Sequence, residues 1–210
     1  MEQHNFDVDF VIPYSKQKVK INSDIVQVDQ TTIRCEDIDA VKYGVSLIGG
    51  AKKPQRKIYA IEVKSKDGKT VHIQFSSTKV EEMLAEDHTY YYIMSGLWQN
   101  VKKHLVNRFI TQLNEQQALE VGNAKFDHQG FVMPYKTWFW GKTKTTVVPW
   151  TNIRYFQDKG MLHIQDMHDG KKKLALSLHD DWNAVVLNTL MHYLWQDQRK
   201  EKLQKGEQIS

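Results

Sequence analysis

The sequence predicts an α+β fold that is mainly β: two tandem copies of one small unit. Each copy is expected to be a curved antiparallel sheet or partly open barrel, capped by a C-terminal α-helix. Three observations predict this. An early block, Phe6-Asp7-Val8-Asp9-Phe10-Val11-Ile12-Pro13-Tyr14, returns as Phe126-Asp127-His128-Gln129-Gly130-Phe131-Val132-Met133-Pro134-Tyr135. Each half holds one Asp-Gly turn between alternating apolar runs, at Asp67-Gly68 and Asp169-Gly170. Each half then ends in an apolar stripe at helical spacing.

The elements follow in order. Phe6, Val8, Phe10 and Ile12 alternate with Asp7, Asp9 and Val11, the period of a half-buried strand. Phe10 to Tyr14 and Phe131 to Tyr135 are expected to be the same strand in two related domains. Thr32-Ile33-Arg34-Cys35-Glu36-Asp37-Ile38 pairs with Val147-Val148-Pro149-Trp150-Thr151-Asn152-Ile153. Residues 59–64 and 70–75 flank Lys66-Asp67-Gly68-Lys69, and 161–165 and 173–178 flank Asp169-Gly170. Asp-Gly tolerates the positive φ of a hairpin turn, so both read as hairpins. Thr78-Lys79-Val80-Glu81 has the capping-box pattern and predicts a short extra helix. Met94, Leu97, Trp98, Val101, Leu105 and Phe109 predict the helix of copy one, with Lys102, Lys103 and Arg108 on its solvated face. Trp182, Val186, Leu190 and Leu194 predict the helix of copy two, with Asp180 or Asp181 as N-cap. Residues 116–124 read as the linker and 204–210 as a frayed tail, so the domains are expected at 5–118 and 125–204. The repeat period is far longer than the roughly 20–50 residues of a solenoid, which means duplicated domains.

Strands, the Val148-Pro149-Trp150-Thr151-Asn152-Ile153 block, an Asp-Gly hairpin and a terminal helix together resemble bacterial pleckstrin-homology-like domains, the group that includes GRAM-type modules. Cys35-Glu36-Asp37-Ile38 carries a shorter version, without the Pro and the Trp. The resemblance implies the capped sheet described above and a binding role rather than catalysis. It also directs attention to the segment between the first two strands, where phosphoinositide-binding members of the group carry basic residues. Lys16-Gln17-Lys18-Val19-Lys20 is the match by position, and it lacks arginine. Another small β-barrel, or a roll with a capping helix, is the alternative.

Composition excludes some classes. The 210 residues are 40% hydrophobic and 26% charged, a globular balance. A net charge of +4 is far from that of a dedicated nucleic-acid binder. Cys35 is the single cysteine, so no internal disulfide and no cysteine-rich zinc site can form. The start lacks the basic and apolar regions of a signal peptide. No apolar run approaches the roughly 20 residues that span a bilayer. The expectation is a cytoplasmic protein, with peripheral contact to a membrane left open.

Catalytic motifs are missing. Gly68-Lys69-Thr70 and Gly141-Lys142-Thr143 lack the glycine five residues upstream that a phosphate-wrapping loop needs; Val63 and Lys136 stand there. No Gly-x-Ser-x-Gly elbow, His-Glu-x-x-His pair or dinucleotide fingerprint occurs. His163, Asp166, His168 and Asp169 form the most ligand-like cluster, but on an exposed hairpin such residues are ordinary turn chemistry. Cys35, in a strand-like block, reads as a small buried apolar residue. No cofactor and no metal is expected.

The copies differ in two insertions, and loops carry function more often than cores. The first, Gly44 to Lys57, holds Lys52, Lys53, Arg56 and Lys57 without a negative charge. It reads either as an anion- or membrane-contacting loop or as a lysine-guarded hairpin tip. The second places Trp138, Phe139 and Trp140 beside Lys142 and Lys144. Such aromatics suit a partner-protein hot spot, a lipid interface or stacking on bases, and they equally suit core packing. The leading expectation is a non-catalytic binding or scaffold module that contacts a protein partner, or a second copy of itself, at an open sheet edge or the Trp138–Trp140 patch. Anionic lipid is the second candidate ligand and nucleic acid the third; a metal-dependent enzyme built on the histidine-aspartate cluster comes last.

Overall fold

The computed structural model describes residues 6–50, 53–78, 80, 83–136 and 143–204. It is mainly β, with four antiparallel sheets, none closed into a barrel among the described residues. The chain divides into two compact units, Met1–Leu105 and Val106–Ser210.

The first unit starts with a four-stranded sheet: β1 (Val8–Val11), β2 (Lys18–Ile21), β3 (Ile25–Val28) and β4 (Thr31–Arg34), paired in that order. A 3-10 turn, Cys35–Asp37, leads into a three-stranded sheet of β5 (Ile38–Gly50), β6 (Lys53–Ser65) and β7 (Thr70–Ser77). Helix α1 (Ala85–Leu97) follows, then a π-helical turn, Trp98–Lys102, and the start of α2 (Lys103–Asn114), which passes into the second unit after Leu105. The core comes from alternate strand positions: Val8, Val19, Ile21 and Val26 from the first sheet, and Val41, Ile61, Val63 and Ile73 from the second. Ile93 and Leu97 close it from the helix. Gly96 lets α1 lie this close to β1, because a Cβ there would sit 2.6 Å from Val8 Cγ2.

The edges of the second sheet are treated differently. On β7, the side chain of Gln17 accepts from the Gln74 N–H at 3.0 Å and donates to the His72 carbonyl at 2.8 Å. One amide thus imitates a neighbouring strand and covers that edge. On β5, the stretch from Tyr43 to Ile48 pairs with β6 and has no strand neighbour on its other side among the described residues.

The second unit repeats the order. It has β8 (Leu119–Val121), β9 (Ala124–Phe126), β10 (Gly130–Lys136) and β11 (Thr143–Pro149), then a 3-10 turn, Trp150–Asn152. Next come β12 (Ile153–Asp158), β13 (Met161–Asp166), β14 (Lys173–Ser177) and α3 (Ala184–Gln204). Its core includes Phe126, Phe131, Met133, Leu162, Ile164 and Leu190.

The likeness extends to hydrogen bonds. Asn22 Oδ1 accepts from the Asp24 and Ile25 amides, and Asp127 Oδ1 from the Gln129 and Gly130 amides, at the same bend between second and third strand. The first side chain of each 3-10 turn then donates to the carbonyl of that residue: Cys35 Sγ to Asn22 O at 3.3 Å, Trp150 Nε1 to Asp127 O at 2.9 Å. The last residue of each 3-10 turn accepts from the hairpin: Asp37 O from the Lys66 amide, Asn152 O from the Met167 amide, both at 2.9 Å.

These equivalences correct the expected pairing of Phe10 to Tyr14 with Phe131 to Tyr135. The former lies at the first strand of its sheet and the latter in the third. Their likeness is the generic alternation of a half-buried strand, whereas Asn22 and Asp127 mark the matching bends. Three boundaries also move. Residues 116–124 are not a linker, because β8 and β9 form a hairpin there around Gly122 (φ 55°) and Asn123. Gly-Asn is a hairpin signal of the same kind as Asp-Gly. No helix includes Thr78 or Val80; the helix begins at Ala85, and Lys79 and Glu81 lie outside the described residues. Asp180 and Asp181 do not cap α3. Asp181 accepts from the Ser177 amide at 2.7 Å and Asp180 from the Ser177 hydroxyl at 2.7 Å, tying the bend back to β14. Val186 and Leu187 instead bond to the Asn183 carbonyl, so the helix starts beyond Trp182.

Candidate functional site

Strand addition uses an unpaired sheet edge, with pockets beside it for alternate side chains. The first unit has both. A groove of about 460 Å³ is lined by Tyr43 of β5, by Tyr91, Met94, Ser95, Trp98, Gln99 and Lys102 of the helix, and by Phe6. This falls in the size range of ligand sites, about 300–1,000 Å³. Val45 and Leu47 continue the Tyr43 face of β5 and are 44% and 59% exposed.

The helix wall owes its shape to the π-helical turn. The Lys103 amide bonds to the Trp98 carbonyl, five residues back. Such a turn inserts one residue and is frequent at functional sites. Buried Asn100 stabilises it: its Nδ2 donates at 3.1 Å to the Gly96 carbonyl and at 3.1 Å to the Phe6 carbonyl. The same side chain therefore holds both the helix turn and the Phe6 wall.

Lys102 is the one charged residue lining the groove among the described residues. Its Nζ donates to Tyr43 Oη at 2.6 Å and lies 5.3 Å from the Tyr43 ring centroid and 5.4 Å from that of Trp98. Cation–π contacts of this kind contribute about 0.5–2 kcal/mol. Burial disfavours the ammonium and lowers its pKa to about 8. Burial also pushes the Tyr43 phenol well above its ordinary value, so it stays protonated.

Of the residues singled out from sequence, Arg56, Lys57 and Lys144 lie elsewhere. Arg56 donates to Ser76 Oγ at 2.6 Å. Lys57 is ion-paired with Asp87 at 3.0 Å, and Asp87 also accepts from Tyr59 Oη and the Leu84 amide. Burial opposes the Asp87 charge, but these three donors outweigh it and hold the carboxyl below its usual range. Lys53 is the first residue of β6, opposite Gly50. Lys144 is exposed on β11, opposite Tyr135. Lys52, Trp138, Phe139, Trp140 and Lys142 lie outside the described residues. The structure thus groups Arg56 and Lys57 with β7 and α1, and neither lines the groove.

Other candidate chemistry resolves into local structure. Asp166 accepts from the His168 amide at 2.9 Å and pairs with Lys172 at 3.4 Å, while His163 stacks on Phe156. Among the described residues no group of three such side chains could hold a metal ion. Cys35 is half-buried in a 3-10 turn rather than fully buried in a strand, and burial, aided by Asp24, pushes its thiol up to about 11. A polar cleft of about 390 Å³ lies at Arg34, Asp37, Lys66 and Lys69, but Lys66 and Lys69 donate to the Glu36 and Thr32 carbonyls.

Sequence reasoning missed the groove by placing Lys102 on a solvated helix face. One signal was present: Met94, Trp98 and Lys102 follow four residues apart, so an apolar row ends in the lysine. No helix of the described chain is long and apolar enough to cross a membrane. No protein-family model, curated protein or solved structure matches the chain.

Proposed function

We propose that the chain is a non-catalytic binding module of two pleckstrin-homology-like units, and that its first unit captures an extended segment of a partner protein. Support for the unit type is the order of four strands, 3-10 turn, three strands and helix in both halves, with the same hydrogen bonds at the Asn22 and Asp127 bends. The observation that carries the capture is an open strand edge beside an apolar groove on the same strand. An added strand gains backbone hydrogen bonds from Tyr43 to Ile48, and its alternate side chains enter the groove. The non-catalytic reading draws support from the polar clusters, which are spent on turns, and from the protonated Cys35 thiol.

The test is selection of displayed random short peptides on the full chain, followed by affinity measurement. Enriched peptides should lose binding about tenfold or more when alternate backbone nitrogens are methylated, or when Val45→Asp and Leu47→Asp are combined. Failure to enrich any peptide, or binding indifferent to both changes, overturns the reading.

A further inference from the structure

We propose that the captured segment carries an acidic side chain, and that Lys102 is the counter-ion that recognises it. This rests on the strand-capture reading and adds the chemistry of the captured residue. The Lys102 ammonium has three N–H donors, and Tyr43 Oη takes one of them at 2.6 Å. The Tyr43 and Trp98 rings hold the charge in place without neutralising it. Among the described residues no carboxylate pairs with Lys102. Three acids of the neighbouring elements pair with other lysines: Asp87 with Lys57, Glu62 with Lys42, Asp9 with Lys20. A half-buried cation without an opposite charge is unfavourable, and a ligand that supplies the charge removes the penalty.

The remaining walls set what flanks the acid. Phe6, Tyr91, Met94 and Trp98 present apolar and aromatic surface. Side chains two apart on an added strand face the same way. The segment therefore presents Asp or Glu toward Lys102 and an apolar residue two positions away. Tyr43, whose phenol stays protonated, can turn its O–H to the second carboxylate oxygen.

The peptides enriched on the full chain serve as the probes. Acidic residues with an apolar neighbour two positions away should dominate them. Replacing that acid by Asn or Gln should weaken binding to the native chain more than about tenfold, and Lys102→Met should remove most of that difference, as a coupled pair requires. A thermal melt of Lys102→Met confirms that the variant is folded. Peptides that bind equally well with and without the acid, or that lose the same affinity on both proteins, overturn this proposal and leave strand capture standing. Failure to enrich any peptide overturns both. Glu2 lies outside the described residues; if Glu2→Gln tightens peptide binding, the chain's own acid is the occupant and the proposal falls. Dimers that Lys102→Met dissolves would make a second copy the occupant, and the proposal falls likewise.

Discussion

Lys102→Met should stabilise the first unit at neutral pH. Lowering the ammonium pKa from 10.5 to about 8, at about 1.4 kcal/mol per tenfold in proton affinity, sets a cost of about 3 kcal/mol on the ion. Methionine fills the same volume without charge. It forfeits the hydrogen bond to Tyr43, worth about 1 kcal/mol, and the cation–π contacts with Tyr43 and Trp98, worth about 1 kcal/mol together, so the net gain is about 1 kcal/mol at pH 7. The sign with pH follows from proton counting. Between pH 8 and 10.5 the unfolded chain holds the Lys102 proton and the folded chain does not, so native stability rises with pH in that window. Below pH 8 the cost is fully present. At pH 9.5 the variant should have lost about 2 kcal/mol relative to the native chain, since that much of the cost is then relieved. Tyr43 and Tyr90, whose phenols burial raises, reverse the slope at higher pH and confine the test to below about pH 10. The assay is urea unfolding at pH 7 and pH 9.5, with pulsed hydrogen exchange of β6 and β7 peptides reporting the first unit. Peptides from β13 and β14 serve as the unchanged control. A variant that is less stable at pH 7, or whose difference ignores pH, would refute the claim that Lys102 is an uncompensated charge.

Four further outcomes follow from the packing. Gly130→Ala should unfold the second unit or cost more than about 3 kcal/mol, because its Cβ would fall 2.0 Å from the Val148 carbonyl oxygen at φ 154°. Gly96→Ala, whose Cβ meets side chains rather than backbone, Val8 Cγ2 at 2.6 Å and Ile21 Cβ at 3.7 Å, should cost about 1–3 kcal/mol in the same urea experiment. Trp150→Phe keeps the ring contact with Phe131 but loses the donor to Asp127 O, and should cost about 1–2 kcal/mol with the fold retained by circular dichroism. Cys35 should react slowly with iodoacetamide at pH 8 in the native protein and quickly in urea, since burial keeps its thiolate scarce; fast native labelling would contradict the half-buried turn.

The parts of this fold that sequence revealed are those set by local chemistry. Asp67-Gly68 and Asp169-Gly170 do turn hairpins, and Ile33 to Ile38 and Val148 to Ile153 do occupy matching strand–turn–strand segments. What misled was resemblance without a local cause. Phe10-Val11-Ile12-Pro13-Tyr14 and Phe131-Val132-Met133-Pro134-Tyr135 share alternation, which any half-buried strand has, and they sit at different places in their sheets. The bends that do correspond, at Asn22 and Asp127, differ in residue type and share only a side-chain oxygen that accepts two amides. The groove was hidden for a different reason. It depends on the π-helical turn at Trp98–Lys102, a one-residue change of helix phase that helical periodicity does not register.

Gln17 shields one edge of the β5–β7 sheet, and nothing comparable shields Tyr43 to Ile48 among the described residues. An edge without a strand neighbour is also one at which identical chains can stack, with Leu47 and Ile48 exposed along it. At high concentration the protein should therefore self-associate through β5 first. A single lysine placed at Leu47 should keep it dispersed, because a charge on an open edge opposes the pairing of a second chain there.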